Sequence, residues 1–460
     1  MRPPRDLQIA FPDAGAAFAG ANSAVAQELL RRFRALPEER LEILRRSAEV
    51  ARVCACDLYW VGGGVRDLWL GRSERDIDLV VDGDLASFAP RLAAAFGGEL
   101  RSHPQFLTAE FFADGGFRID LAQVRAESYA SPAALPVVVP GTLGSDFARR
   151  DFTVNCLAIP FAPRFGDRLI DACGGLIDLE QRRLRTLHAD SFRDDPTRIL
   201  RGLEFAARLG FELAPETLRQ AERAIADGTL GLLSPARLGE ALRRALGRAA
   251  GAGRVLRQMR QLSLLAAIDA DLARTTGEEP DVEEAQAAFA ASTGRDLSSA
   301  FGLALLCLAL ALDDAPRRRL ARRLGLPAAE ESLVTTGPAR IRAALAGLEN
   351  GPAASAAHAL LAGLADEELA VVAAHGPAAK EWVRREFAEF RPLRLRISGR
   401  DLLAAGTKAG PALGRALELT LAARLDGRID ASRELAFALQ AVSGAVGAVG
   451  AAVAAGEGQP

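Results

Sequence analysis

The sequence has few cysteines, few histidines, no surplus of positive charge, no long strongly apolar run and no repeat. Its five cysteines (Cys54, Cys56, Cys156, Cys173, Cys307) are odd in number and include no CxxC pair. That argues against a disulfide framework and a structural zinc site, and a reducing cytoplasm fits. Four histidines are present, His103, His188, His358 and His375, and none adjoins an aspartate. No Ser/His/Asp or Cys/His constellation for hydrolysis stands out, and His103 and His188 read as structural. With a net charge of −2 the molecule as a whole is not a basic nucleic-acid binder, so any such surface must be local. The run Ala300–Leu312 is too short to span a bilayer and reads as a buried helix. The uncharged stretch Leu435–Gly456 is built largely of weakly hydrophobic Gly and Ala and reads as a soluble or frayed tail. The opening MRPPRDLQIAFPDAG has no apolar core of a signal peptide. No fixed period recurs, which disfavours a scaffold of helical repeats.

What the chain does have is length and apolar content: 460 residues, 49% hydrophobic, enough for several cores and for about two to four domains. Residues 23–53 carry helical periodicity through Leu29, Leu30, Phe33, Leu41, Ile43, Leu44 and Val50. From residue 58 to about 160 short β-type runs appear (LYWV, DIDLVV, AEFFA, FRIDLAQV, VNCLAIP), with helical stretches such as Leu85–Phe96 between them. After about residue 185 the strands are expected to stop. Helices follow to the end, punctuated at Gly210, Gly228–Gly231, Gly251–Gly253, Gly277–Pro280, Gly325–Pro327, Gly351–Pro352 and Gly410–Pro411. The fold class is α+β: a mixed-sheet head, then an all-helical remainder.

Within the head, residues 58–84 read LYWVGGGVRDLWLGRSERDIDLVVDGD. A strand runs into Gly62, Gly63 and Gly64, a helix-like stretch carries Arg66 and Asp67, and a second strand carries Asp76 and Asp78. Two residues apart in a strand, both carboxylates leave the same face. Such a pair repels itself unless a cation lies between, and Mg²⁺ takes carboxylate and phosphate oxygens. The glycines let backbone N–H groups approach a triphosphate, and Arg66 can neutralise its charge. Asp120, on the polar face of FRIDLAQV, is the candidate third carboxylate. Read alone, the DxD is also compatible with a solvated amphipathic strand after a glycine turn.

The combination of paired glycines, a helix-length gap and an hDhDh strand resembles the signature of the polymerase-β nucleotidyltransferase superfamily. Further segments narrow the likeness to class II tRNA nucleotidyltransferases (CCA-adding enzymes) and bacterial poly(A) polymerases. GGGVRDLWLGRSERDIDLVV resembles their first motif and ARRDFTVNCLAI (148–159) their second, with Cys156 in place of alanine. RDDPTRILRGLEFAARLGF (193–211) resembles the nucleotide-selecting motif, and LRISGRDLLAAGTKAGPALGRAL (395–417) a segment of the tail. The likeness spans roughly residues 40–435. It implies that Gly63 and Arg66 contact the triphosphate and that Asp76 and Asp78 hold two Mg²⁺ ions. It also implies that Arg150, Asp151 and Asn155 shape the nucleotide pocket, that Asp195 and Arg198 read the base, and that Arg201 serves the phosphates. Glu204 stands where many relatives have arginine, and Ala236 where a glutamate is common. No His-Asp doublet marks an appended phosphohydrolase domain.

The implied organisation is an N-terminal segment (1–55), a nucleotidyltransferase head (56–185), a helical neck with the nucleotide-selecting motif (186–265), a helical body (266–345) and a tRNA-binding tail (346–460). The implied substrates are a tRNA 3′ end and CTP, ATP or both, with no membrane and no protein partner. Three apart on a helix, Asp195 and Arg198 would share a face. Asp195 also reads as an N-cap with Pro196 as the first helical residue, and the two readings are compatible. ARRDF reads equally as an ion-paired loop with Phe152 in the core. RNA contacts are expected from Arg243, Arg244, Arg248, Arg254 and Arg257, a stretch with Glu240 as its one acid. Complete CCA addition, CC addition and A addition remain open. The alternatives are polyadenylation and a non-catalytic RNA-binding module of the same fold.

Overall fold

The computed structural model describes residues 24–72, 77–162, 168–248, 250–274, 281–298 and 300–454. The chain divides into two compact units, one of residues up to Ala241 together with 261–268, the other of 242–260 and the residues from Asp269 on.

The first unit opens with α1 (Ala24–Arg34) and α2 (Glu38–Val53), followed by β1 (Asp57–Val61) and α3 (Gly63–Trp69). Then come β2 (Ile77–Asp82), α4 (Leu85–Phe96), β3 (Gly98–His103), β4 (Thr108–Ala113) and β5 (Arg118–Gln123). A hairpin of β6 (Arg125–Ser128) and β7 (Val137–Pro140) leads to α5 (Leu143–Ala148), β8 (Leu157–Pro160) and β9 (Ile170–Asp171). Seven strands form one mixed sheet in the order β3-β4-β5-β2-β1-β8-β9, and β2 with β5 is its parallel pair. That pair needs a crossover, and α4 supplies it. Its buried residues Leu85, Phe88, Ala89 and Leu92 recur at helical spacing, Asp84 caps its first turn through Ala86 N–H, and Gly97 at φ +71° ends it. In β1, Leu58 to Val61 are all buried, as befits a strand covered on both faces.

Between β5 and α5, β6 and β7 pair as an antiparallel hairpin. Two expectations need correction. VNCLAIP is not strand throughout: Thr153–Asn155 forms a 3₁₀ turn and the strand starts at Leu157. Pairing does not stop at 185, because β10 (Arg183–Leu184) pairs in parallel with β11 (Glu212–Leu213). The helix α6 (Gly175–Glu180) precedes β10, and α7 (Ser191–Asp194) and α8 (Thr197–Leu209) lie between β10 and β11. α9 (Pro215–Ala226) and α10 (Pro235–Leu246) come next.

The second unit is helical among its described residues. Ala300–Leu310 is buried along almost its whole length, as its uniform apolarity requires. Buried glutamates there each meet an arginine, Glu368 with Arg340, Glu386 with Arg391 and Glu434 with Arg424, and the His358 ring also lies against Glu386. The last helix runs Glu434–Ala454, and among the described residues no helix is long and apolar enough to cross a membrane.

Candidate active site

The turn between β1 and α3 requires glycine at positions 62 and 64. Gly62 has φ +68° and ψ −126°, and a Cβ there would stand 2.9 Å from Nη1 of Arg150. At Gly64 it would stand 2.4 Å from Nε1 of buried Trp60. At Gly63 it would face Oδ2 of Asp78 at 3.6 Å and Nη2 of Arg66 at 3.5 Å. The open side of the turn therefore lies against the Asp78 carboxylate.

Asp78 on β2 is the register partner of Asp120 on β5, and Asp120 is the partner of Glu110 on β4, so three acids line one row across three strands. Arg118 bonds Asp120 Oδ1 at 2.8 Å and Glu110 Oε1 at 2.6 Å, which holds part of this charge in place. Glu110 belongs to none of the sequence motifs, although its polar slot in AEFFA is the signal that marks it. Asp76 lies outside the described residues. Among the described residues no three His, Cys, Asp or Glu side chains gather around a metal position. The donor chemistry, carboxylate oxygen on Asp78 beside a glycine turn that admits phosphate, fits a hard divalent cation.

Behind the turn a network joins α3 to α8, buried at Arg66, Asp67, Asp151 and Asn155 and exposed at Arg201. Arg66 donates through Nε and Nη2 to both carboxylate oxygens of Asp67, each at 2.8 Å, and through Nη1 to Asn155 Oδ1 at 2.6 Å. Asn155 Nδ2 donates to Asp151 Oδ1 at 2.8 Å, and Arg201 grips Asp151 Oδ2 through Nε at 2.9 Å and Nη2 at 2.6 Å. Burial pushes the Asp151 carboxyl up, but Arg201 and Asn155 outweigh it and hold it below the usual range. Arg150 donates to the carbonyl of Asn155 at 2.7 Å and, with Arg149, to Asp146, which is fully buried. Burial again opposes ionisation of Asp146, and the two guanidiniums reverse it. Phe152 is core, edge-to-face on Phe205 with ring centroids 6.0 Å apart, and Gly202 has no side chain to obstruct it. The guanidiniums of Arg66, Arg201 and Arg208 surround the Phe205 ring at 5.2, 5.5 and 5.1 Å, and Glu204 is paired with Arg208 at 2.9 Å. Asp67 and Asp146 are thus structural members of the site to which no motif assigns a role.

Asp195 does not share a helical face with Arg198. It is extended, at φ −137° and ψ 96°, and α8 begins two residues later. The following Pro196 disfavours the helical region for the residue before it. Asp195 is instead the cap: Oδ1 accepts from Thr197 N–H at 3.1 Å and from Thr197 Oγ1 at 2.7 Å. Oδ1 also accepts from Arg237 on α10 at 3.1 Å, a pairing that sequence spacing does not announce. Arg198 is buried, donating to Ser191 Oγ at 2.8 Å, the Arg149 carbonyl at 2.7 Å and Tyr129 Oη at 3.3 Å.

Of the expected RNA contacts, Arg243 pairs with Glu330 and lies over Phe301, and Arg257 pairs with Asp281 and Glu283. The stretch is therefore not opposed by Glu240 alone, since acids distant in sequence meet it. Arg244, Arg248 and Arg254 are exposed.

Residues 58–185 match the family model described as the poly(A) polymerase head domain. The chain is 37% identical over 205 residues to the A-adding tRNA nucleotidyltransferase of Halalkalibacterium halodurans, a match covering 44% of this chain and 48% of that protein. It thus spans about half the length of that relative. It is 33% identical over 398 residues to the CC-adding tRNA nucleotidyltransferase of Deinococcus radiodurans, covering 85% of this chain and 90% of that one. The fold is similar to that of the Thermotoga maritima CCA-adding enzyme complexed with tRNA, with a TM-score of 0.71 and 27% identity over 92% of this chain and 98% of that one.

Proposed function

The chain belongs to the tRNA nucleotidyltransferase family, and on that premise we propose that it adds C, A or both to the 3′ end of tRNA without a nucleic-acid template. The observation that carries the proposal is the glycine turn set against Asp78, in register with Asp120 and tied through Arg66, Asn155 and Asp151 to the nucleotide-selecting helix. The near-full-length likeness to a CC-adding enzyme and to a tRNA-bound enzyme supports it.

The tRNA 3′-hydroxyl attacks the α-phosphorus of CTP or ATP. A bond forms to the 3′ oxygen, the bond to the β-phosphate oxygen breaks, and pyrophosphate leaves. The family works with divalent cations, and we assign two Mg²⁺ to Asp76 and Asp78. When bound, they lower the pKa of the attacking hydroxyl and offset charge on the leaving oxygens. The backbone of Gly62 and Gly63 admits the triphosphate. Arg66 and Arg201 add positive charge while anchored to Asp67 and Asp151. Arg150 and Asn155 hold the pocket's wall, and Asp120, steadied by Arg118, completes the carboxylate row.

Base choice falls to Asp195 and Arg198. A carboxylate accepts, and a guanidinium with five N–H groups, three of them used by Ser191, Tyr129 and Arg149, still donates. An amino group beside a ring acceptor, the pairing edge of cytosine and adenine, satisfies both. Uracil and guanine set a carbonyl against the carboxylate, and the unpaired group costs about 1–3 kcal/mol.

Residues 56–185 serve as the head, 186–265 as the neck, 266–345 as the body and 346–460 as the tRNA-binding tail, with Arg243, Arg244, Arg248, Arg254 and Arg257 facing RNA phosphates. The five free cysteines support a cytoplasmic location. Since the matching family model is named for poly(A) polymerase, polyadenylation is the second reading. Extension of tRNA transcripts with labelled CTP and ATP tests both. One to three nucleotides on tRNA alone supports the proposal, and long A tails on unrelated RNA would replace it with the second reading.

A further inference from the structure

The carboxylate of Asp195 is more constrained than a base-reading group needs for capping alone. Oδ1 accepts three hydrogen bonds, from Thr197 N–H (3.1 Å), Thr197 Oγ1 (2.7 Å) and Arg237 Nη2 (3.1 Å), whereas Oδ2 has no partner among the described residues. Rotating the carboxylate would break all three bonds, so one oxygen is saturated and the other is presented. The other terminal nitrogen of the same guanidinium, Nη1 of Arg237, donates to the carbonyl of Ala133. Ala133 lies in the loop between β6 and β7, is buried, and has φ +58°, a left-handed conformation that a non-glycine residue adopts at a cost. Its own N–H donates to the carbonyl of Arg193 on α7 at 3.1 Å. The loop segment is thus fastened at both polar groups of one residue, and one of the fasteners is the arginine that orients Asp195.

We propose that Arg237 is a positioning residue for nucleotide selection: its guanidinium fork fixes Asp195 with Oδ2 outward and couples that orientation to the β6–β7 loop. Arginine suits this because two of its nitrogens meet two acceptors at once in a fixed plane, which a lysine ammonium cannot reproduce. About three-quarters buried, the Arg237–Asp195 pair is shielded from solvent without being sealed from a ligand. The inference rests on the reading of Asp195 as a base-contacting group.

The test is single-nucleotide extension of a tRNA transcript in Mg²⁺ with the full-length chain as wild type, R237M, R237K, D195A and the R237M/D195A double variant. KM and kcat are measured for CTP, ATP, UTP and GTP. R237M should lower the preference for the favoured nucleotide over UTP about tenfold, mainly through a higher KM for the favoured nucleotide. R237K, which keeps the charge but loses the fork, should lose part of that preference and serves alone if R237M does not fold. The double variant should be no less selective than D195A, because Arg237 acts through Asp195. Wild-type preference in R237M or R237K would overturn the proposal, as would losses that multiply in the double variant. Wild-type preference in D195A would remove the base-reading assignment itself, and the proposal with it, a failure distinct from one confined to Arg237.

Discussion

Asp146 and Asp151 are carboxylates that neighbouring guanidiniums keep ionised against the pull of burial, and Asp195 is one whose hydrogen-bond partners fix its direction. Asp146 is fully buried between Arg149 and Arg150, so Asp146→Asn leaves two largely buried guanidiniums without their partner. The variant should lose about 3–5 kcal/mol of stability, read by urea unfolding, and an unchanged midpoint would contradict the pairing. The folded-state carboxyls of Asp146 and Asp151 lie below their ordinary range. Their contribution to stability is therefore complete above the unfolded carboxylate range and is lost as pH falls through the lower folded values. His188 acts at higher pH: burial, reinforced by Arg198, lowers it from 6.5 to about 4 against a smaller opposite pull from Asp190. Between those two values the unfolded chain takes up a proton that the folded chain refuses, so stability falls as pH drops through that window, by up to roughly 3 kcal/mol. His188→Asn should flatten the melting temperature between pH 7 and 4.5, and a variant with the wild-type slope would assign that slope elsewhere. At this scale the sequence was informative where a pattern is local. Asp78 and Asp120 stand out as polar slots in apolar strands. Arg237 does not, because its partners Asp195 and Ala133 lie 42 and 104 residues away and only the fold brings them together.

Among the elements, strands and helices with one strongly apolar side were legible: α4 falls at Leu85–Phe96, and β1, β2, β4 and β5 lie where alternating or continuous apolar runs put them. β3 was not, because an edge strand reading GELRSH buries no residue of its own. β10 and β11 have two residues each and no room for a pattern. The glycine turn shows how an element constrains its neighbours. Gly64→Ala would drive a methyl group into the indole of Trp60 on β1, which is buried on both sides. We expect a loss of about 1–3 kcal/mol and a fall in nucleotide affinity, measured by chemical unfolding and CTP binding. Gly210, which ends α8 at φ +72° with open space around it, is the contrasting case: Gly210→Ala should cost stability through backbone strain alone, roughly 1 kcal/mol, with no packing defect. If the two variants were equally mild, the close approach of α3 to Trp60 would not be the constraint described.

For the whole molecule, a net charge of −2 means that RNA has to be held by local clusters. In the helical unit Arg243 pairs with Glu330 and Arg257, itself exposed, pairs with Asp281 and Glu283, and the other exposed arginines among the expected RNA contacts are Arg244, Arg248 and Arg254. Replacing the latter three together with alanine should weaken tRNA binding and make its salt dependence shallower, by about 0.7–0.9 log units for each phosphate that is no longer neutralised. An unchanged salt slope would contradict the assignment of these three arginines to RNA phosphates. The order of a mixed sheet first and helices after it was legible from the point where alternation gives way to helical periodicity. The compact units themselves part near Ala241 and exchange residues 261–268, which no composition shift marks. The central claim, template-independent addition at a tRNA 3′ end by a site built on Asp78, is tested most directly by one assay. Wild type and Asp78→Asn, both shown to be folded, are given tRNA transcripts ending before CCA, after C and after CC, with Mg²⁺ and labelled CTP and ATP. The account predicts that the wild type adds one to three nucleotides to at least one transcript and that the variant is at least about a thousandfold slower. Equal rates in the two proteins, or no incorporation by the folded wild type on any transcript, would contradict it.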